Sequence, residues 1–217
     1  MSLQSLIDNI AAATPGPQTC AVFDFDGTII SGYSATAFLK DQIARREIAP
    51  ADLIQLTQAA TRFGIGSLGF SALMVVHAQY LAGRSEAEYV ANSERLFRRA
   101  IAKLIYPEAR QLIEAHRAAG HSIAIISSAT PYQVMPAARD LGIEDVYASD
   151  LEVVDGQFTG GVVTPTCFGP GKVDAAERFT EKQGSDLERC FFYSDSTDDI
   201  ELLEVAGRPV VLNGSSE

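Results

Sequence analysis

The stretch FDFDGTII, Phe23 to Ile30, sets two aspartates one residue apart in an otherwise apolar run. An unpaired carboxylate in a strand interior is expensive, so the pair is read as the exit of a strand. The preceding TCAVF supplies that strand. In its period-two alternation Asp24 and Asp26 share one face and Phe25 takes the other. Gly27 permits a tight turn immediately after.

Upstream, SLQSLIDNIAAA has helical spacing and TPGPQ breaks it. Downstream, from Ser34 to about Lys103, no strand is predicted. YSATAFLKDQIARREI, PADLIQLTQAATRF, GSLGFSALMVVHAQYLA and SEAEYVANSERLFRRAIAKL read as four helices, and Ser85 with Glu88 fits a capping box. The pattern then changes. PEARQLIEAHRAAG, PYQVMPAARDLGI, KVDAAERFTEKQG and TDDIELLEVAG are helical. Between and after them HSIAIIS, DVYAS, RCFFYSD and RPVVLN read as strands, and LEVVDGQFTGGVV as a hairpin around Asp155 and Gly156. Strands alternating with helices imply βαβ units. The expected fold class is α/β: a Rossmann-like parallel sheet core, residues 1–31 and 105–217, with an inserted all-helical cap, 32–104.

Of the 217 residues 47% are hydrophobic and 21% charged, a globular composition. The net charge of −11 and the lack of a long basic run exclude a nucleic-acid binder and argue against electrostatic docking on anionic membrane. No apolar run reaches transmembrane length. Met1 to Ala13 lacks the basic start of a signal peptide. Cys20, Cys167 and Cys190 show no CxxC spacing. They are expected as reduced thiols of a cytoplasmic protein, Cys20 and Cys190 serving as small buried hydrophobes.

Ligands of parallel α/β sheets bind at the carboxyl ends of the strands. This sequence puts Asp24 and Asp26 there after one strand, Ser127 and Ser128 after another, and Asp195, Asp198 and Asp199 after FFYS. Lys172 stands at the start of a helix, where the dipole disfavours a cation; another purpose must hold it there. Clustered carboxylates need a cation, and an all-oxygen donor set suits Mg2+, which in turn suits a phosphate. His77, His116 and His121 have no metal-ligand spacing and read as core or surface histidines.

DFDGT, the Ser127 after IAII, Lys172 and DSTDD resemble, in order and spacing, the four motifs of the haloacid dehalogenase superfamily. The insert lies where members with a helical C1 cap carry theirs. YSATAFL, SSATPYQVMPAA and YSDSTDDIELLEVAG are most similar to subfamily IB, the group containing phosphoserine phosphatases. The resemblance implies a Mg2+-dependent phosphomonoester hydrolase working through an aspartyl-phosphate. It makes Asp24 the nucleophile and Asp26 the acid and then the base. Mg2+ falls to the Asp24 carboxylate, the Asp26 carbonyl and Asp195, with Asp199 behind them. Ser127, Ser128 and Lys172 bind the phosphoryl group. Asp198 stands where the family often has Asn, and its role stays open.

The chain departs from phosphoserine phosphatases in its insert. Tyr33 replaces the acid that holds the substrate ammonium, and Ser67 to Ala82 contains no arginine for a carboxylate. A small organic phosphate other than phosphoserine is therefore expected, with Tyr33, Phe70, Met74 and His77 as substrate contacts. Phe63, Leu73, Val75 and Tyr80 add to the apolar lining. Similar chains continue past the last strand, where this one stops at GSSE, so it reads as a piece of a longer protein. Some similar domains are fused to a lysophospholipid acyltransferase domain, which would make a lipid phosphate a candidate substrate. A phosphomutase and a phosphate-sensing regulatory module are the competing functions.

Overall fold

The structure, a computed structural model, describes residues 2–47 and 67–213, the side chains of 67–73 excepted. The helix expected at 50–63, Phe63, and the side chains of Phe70 and Leu73 lie outside the described residues. Five parallel strands form the main sheet: β1 (Cys20–Phe23), β2 (Ser122–Ile126), β3 (Asp145–Tyr147), β6 (Cys190–Ser194) and β7 (Arg208–Val211), in the order β3-β2-β1-β6-β7. β4 (Leu151–Val154) and β5 (Gln157–Val162) make a separate antiparallel hairpin. Its turn has Asp155 and Gly156 both at positive φ, 51° and 74°, as a two-residue type I′ turn requires.

Every residue of β1 and β6 is buried, as central strands covered on both faces should be. Alternation sorts them into two layers. Ala21, Phe23, Ile125, Phe191 and Tyr193 pack with α1 (Leu3–Ala11), α5 (Pro107–Ala118) and α6 (Pro131–Leu141) through Leu6, Ile10, Leu112, Ile113 and Val134. Cys20, Val22, Ala124, Ile126, Cys190 and Phe192 pack on α7 (Pro170–Lys182) and α8 (Ile200–Val205) through Ala175, Ala176, Phe179 and Leu202. Each large side chain buried this way contributes about 1.5–3 kcal/mol. All three thiols are buried and none is in a disulfide. Burial pushes Cys20 up to about 11 and Cys167 to about 12, so they behave as inert apolar groups.

β1 is flanked by β2 on one side and β6 on the other. Strand order reverses there, which opens a crevice at its carboxyl end. Here the chain leaves for α2 (Ser34–Ala44), α3 (Ser67–Leu81) and α4 (Glu86–Leu96). Among the described residues this excursion contains no strand. A π-type turn at Phe97–Ile101 and a 3-10 turn at Ala102–Leu104 bring it back. The outgoing and returning chains pair antiparallel: Ser31 N donates to Leu104 O at 2.8 Å and Tyr106 N to Ile29 O at 2.9 Å.

The helices of the excursion lean on the hairpin and on α6. α3 approaches β5 so closely that a Cβ on Gly160 would come within 3.2 Å of the Ala82 methyl. Gly83 N donates to Phe158 O at 2.8 Å. Tyr89 of α4, Tyr132 of α6 and Phe158 of β5 meet edge to face, with centroids 5.2–5.5 Å apart. The Tyr132 hydroxyl donates to Glu86 Oε1 at 2.8 Å. No helix among the described residues is long and apolar enough to cross a membrane.

Candidate active site

The alternation that sends Cys20 and Val22 toward α7 carries on to Asp24, just past the end of β1. Lys172, in the first turn of α7, comes from that same side. Its Nζ donates to Asp24 Oδ1 at 2.7 Å and pairs with Asp199 Oδ1 at 2.6 Å. The three residues are only 6%, 3% and 3% exposed. Asp199 Oδ2 accepts from the Ser194 hydroxyl at 2.7 Å, whose oxygen accepts from Ser196 N at 3.1 Å. Both oxygens of Asp199 are thus engaged, one of them in holding Lys172.

Burial alone works against the Lys172 charge, but Asp24 and Asp199 outweigh it and hold the ammonium. One ammonium cannot balance two buried carboxylates. Burial pushes Asp24 up, Lys172 opposes this, and Asp199 adds to it.

Asp26 is clamped at two points by the start of α2. Ser34 N donates to its Oδ1 at 2.6 Å and the Ser34 hydroxyl to Oδ2 at 3.0 Å. A carboxylate at a helix N-terminus takes a donor the helix cannot use itself, in a favourable field. Burial still pushes Asp26 up to about 6 against these bonds, with Asp195 adding to the rise. Asp195 Oδ1 accepts from Thr28 Oγ1 at 3.1 Å. Its carboxylate lies against Gly27 (φ 80°), where a Cβ would stand 2.0 Å from Oδ2. Asn213 Nδ2, two residues past β7, pins the same turn by donating to Gly27 O at 3.0 Å. Burial raises Asp195 as well, Thr28 opposing and Asp199 adding.

Ser127 is buried at the end of β2; its N donates to Tyr147 O at 2.9 Å and its Oγ accepts from Ala129 N at 3.1 Å. The acceptor role leaves the hydroxyl proton for another acceptor. Ser128, next in the loop, is half-buried. Asp198 is exposed, on the far side of its motif from buried Asp199.

The expected substrate contacts are scattered. Tyr33 is 69% exposed at the entry to α2, and Met74 is buried in the hydrophobic core. His77 faces the Tyr89 hydroxyl at 3.2 Å and is lowered to about 4 by burial. Among the described residues no hydrogen bond or ring contact joins any of these to the carboxylates.

Thr28, Ser34, Gln133, Ser194 and Asn213 were not singled out from sequence. Only Gln133 left a local trace, in the T-x-x-Q spacing of a capping box, which it forms with Thr130.

Asp24, Asp26, Asp195 and Asp199 face the single ammonium of Lys172, and each of the first three feels another of the acids. Among the described residues no three acidic, histidine or cysteine side chains already form a metal cage. The expected set needs only two carboxylates, of Asp24 and Asp195, with the Asp26 carbonyl. Such a sparse oxygen set fits Mg2+, which keeps several waters and shares substrate phosphate oxygens. The surplus of negative charge fits it too.

A family model described as haloacid dehalogenase-like hydrolase matches residues 21–204. The phosphoserine phosphatase SerB1 of Mycobacterium tuberculosis is 33% identical over 198 residues, 89% of this chain. The chain spans only 64% of that relative's length. A histidinol-phosphatase of Neisseria meningitidis is 27% identical, covering 91% of both chains. A solved structure of a protein of unknown function from Bordetella pertussis Tohama I superposes with a TM-score of 0.80 at 27% identity, again over 91% of both. The chain belongs to the haloacid dehalogenase-like hydrolase family.

Proposed function

We propose that this chain is a Mg2+-dependent phosphomonoester hydrolase that works through an aspartyl-phosphate on Asp24. The observation that carries the reading is the buried Asp24–Lys172–Asp199 array at the exit of the central strand, with more carboxylate than one ammonium can balance. The relatives named as phosphoserine phosphatase and histidinol-phosphatase point to the same bond type.

Asp24 attacks phosphorus, and the bond from phosphorus to the ester oxygen breaks. Asp26 gives its proton to the departing alkoxide. A water then attacks the phosphorus of the aspartyl-phosphate, Asp26 takes one of its protons, and Asp24 returns as a carboxylate. Lys172 neutralises Asp24 and a phosphoryl oxygen, and Asp199 keeps Lys172 in place. Ser127, with Ser128, donates to the phosphoryl group. Asp24, Asp195 and the Asp26 carbonyl would hold Mg2+, whose charge offsets that building up on the phosphoryl oxygens. Catalysis is chiefly positioning and electrostatic stabilisation. Residues 32–104 serve as the cap that selects the alcohol. With Tyr33 in place of an acid and no arginine on α3, that alcohol is not serine.

The test is phosphate release from a panel of amino-acid, amino-alcohol, sugar and lysophospholipid phosphates, with histidinol phosphate and phosphoserine included. It is run with Mg2+, with EDTA, and with Asp24→Asn. Turnover that needs both metal and Asp24 is expected. Asp24→Asn should lose at least about 10⁴-fold, as enzymes stripped of their nucleophile do. No turnover on any ester would sink the hydrolase reading, and a strong preference for phosphoserine would sink the reading of the cap.

A further inference from the structure

We propose that Gln133 is a positioning residue that sets the working geometry of Asp26 through Ser34. This rests on the phosphatase reading above and adds to it a residue outside the four motifs.

A chain of hydrogen bonds of fixed direction joins Gln133 to Asp26. Gln133 Oε1 accepts from Thr130 N and from Thr130 Oγ1, both at 2.9 Å. Thr130 N can only donate, which identifies that atom as the amide oxygen, so the amide nitrogen must face the other way. There Nε2 donates to Ser34 Oγ at 3.0 Å, across 99 residues of sequence. A hydroxyl has one proton. With its oxygen receiving from Gln133, Ser34 must spend that proton on Asp26 Oδ2. Ser34 N takes Oδ1. Thr130, Gln133 and Ser34 are all buried, so water does not compete for these bonds.

The chain therefore begins at Thr130, in the loop that carries Ser127, and ends on the carboxylate that must reach the leaving oxygen. Ser34 alone could turn its hydroxyl elsewhere; Gln133 removes that freedom. A donor displaced by a fraction of an ångström weakens proton transfer in the transition state. The effect should therefore scale with how much the leaving group needs a proton, which a merely structural role would not produce.

Two esters of nearly the same shape separate these cases. The 4-nitrophenoxide of 4-nitrophenyl phosphate leaves almost unaided, whereas the phenoxide of phenyl phosphate is more basic and benefits from protonation. kcat/KM reports the step in which Asp24 is phosphorylated. Gln133→Leu should lower it about tenfold for phenyl phosphate, a fraction of what general acid catalysis supplies, and no more than about threefold for 4-nitrophenyl phosphate. Gln133→Glu keeps the capping box. When ionised it cannot donate to Ser34 and competes for its proton, and should show the same selective loss. Ser34→Ala should change the ratio between the esters likewise, Ser34→Thr should preserve it, and adding Gln133→Leu to Ser34→Ala should change it no further. Equal losses on both esters, or ratio changes that multiply, overturn the proposal. Absence of wild-type turnover across the whole ester panel would overturn the phosphatase reading and this one together; turnover with equal losses overturns this one alone.

Discussion

Two buried polar clusters share the strands β1 and β6, and they solve the same problem in opposite ways. On the α5 side, His116 Nε2 faces the Tyr193 hydroxyl at 2.8 Å and His116 Nδ1 faces His121 Nδ1, also at 2.8 Å. Tyr193 stacks on Phe23 with centroids 4.4 Å apart. Every member can be neutral, and burial lowers His116 to about 3, His121 adding to the shift. At the strand exits the members are charged and do not sum to zero: Asp24, Asp26, Asp195 and Asp199 face Lys172. The first cluster carries no charge, though the buried His121 Nε2 has no hydrogen-bond partner among the described residues. The second carries more negative charge than its one ammonium balances. A buried polar group that stays neutral suits the scaffold; surplus buried charge is the stronger pointer to a site.

The harshest way to break the contrast is to remove the cation of the second cluster. Lys172→Met leaves Asp24 and Asp199 facing each other in a dry pocket. Taking one partner from a buried ion pair typically costs about 3–5 kcal/mol. A loss of that size is expected in urea unfolding without metal, and added Mg2+ should recover part of it by binding the folded state. A variant as stable as wild type without metal would show that the carboxylates balance themselves, contrary to the charge count.

Next in size is Gly27→Ala. Its φ of 80° disfavours a side chain, and the new methyl would collide with the Asp195 carboxylate. A left-handed backbone costs a non-glycine residue roughly 1–2 kcal/mol. The larger consequence falls on the cation. The Mg2+ concentration for half-maximal activity should rise at least about tenfold, in line with a displaced ligand. Unchanged metal dependence would mean that Asp195 does not help to hold it.

Much of this contrast was legible in the sequence. The strands are short apolar runs and the acids stand at their ends, so TCAVF, HSIAIIS and RCFFYSD announced the sheet and the gathering of acids at its carboxyl edge. The Asp155–Gly156 turn was equally plain, since Asp-Gly suits the positive-φ pair of a type I′ hairpin turn. The partners of the acids were not. Ser34 and Gln133 meet across 99 residues, and Asn213 reaches Gly27 across 186. Such contacts depend on how α2, α6 and β7 pack, which no local pattern encodes. His116 and His121 were read only as core or surface; that His116 joins His121 and Tyr193 depends on α5 lying over β6.

The neutral cluster can be charged with acid. In the unfolded chain His116 titrates near 6.5, and in the folded protein near 3. The unfolded state therefore binds an extra proton between those values. The stabilisation is complete above pH 6.5 and is lost as pH falls toward 3, at up to about 1.4 kcal/mol per pH unit. Stability measured by urea unfolding from pH 8 to 4 should show this slope on top of that of the acids. His116→Phe, whatever its cost at pH 8, should flatten the slope by one proton. An unchanged slope would mean that the imidazole is already protonated in the folded state and the cluster is not neutral.

The smallest effect expected is the most exacting for the comparison. Asp198 and Asp199 are neighbours with the same charge, yet one is exposed and the other is 3% exposed and bonded to Lys172 and Ser194. A carboxylate in water is screened by solvent and salt. Asp198→Asn should therefore change kcat/KM less than about twofold and stability by no more than about 0.5 kcal/mol, as surface substitutions usually do. Asp199→Asn weakens the hold on Lys172 and should lose activity with substrate and Mg2+ both saturating. If the two variants suffered alike, the count of charges in the motif would matter and their burial would not. The distinction between a neutral cluster and one with surplus charge would then have to rest on something other than desolvation.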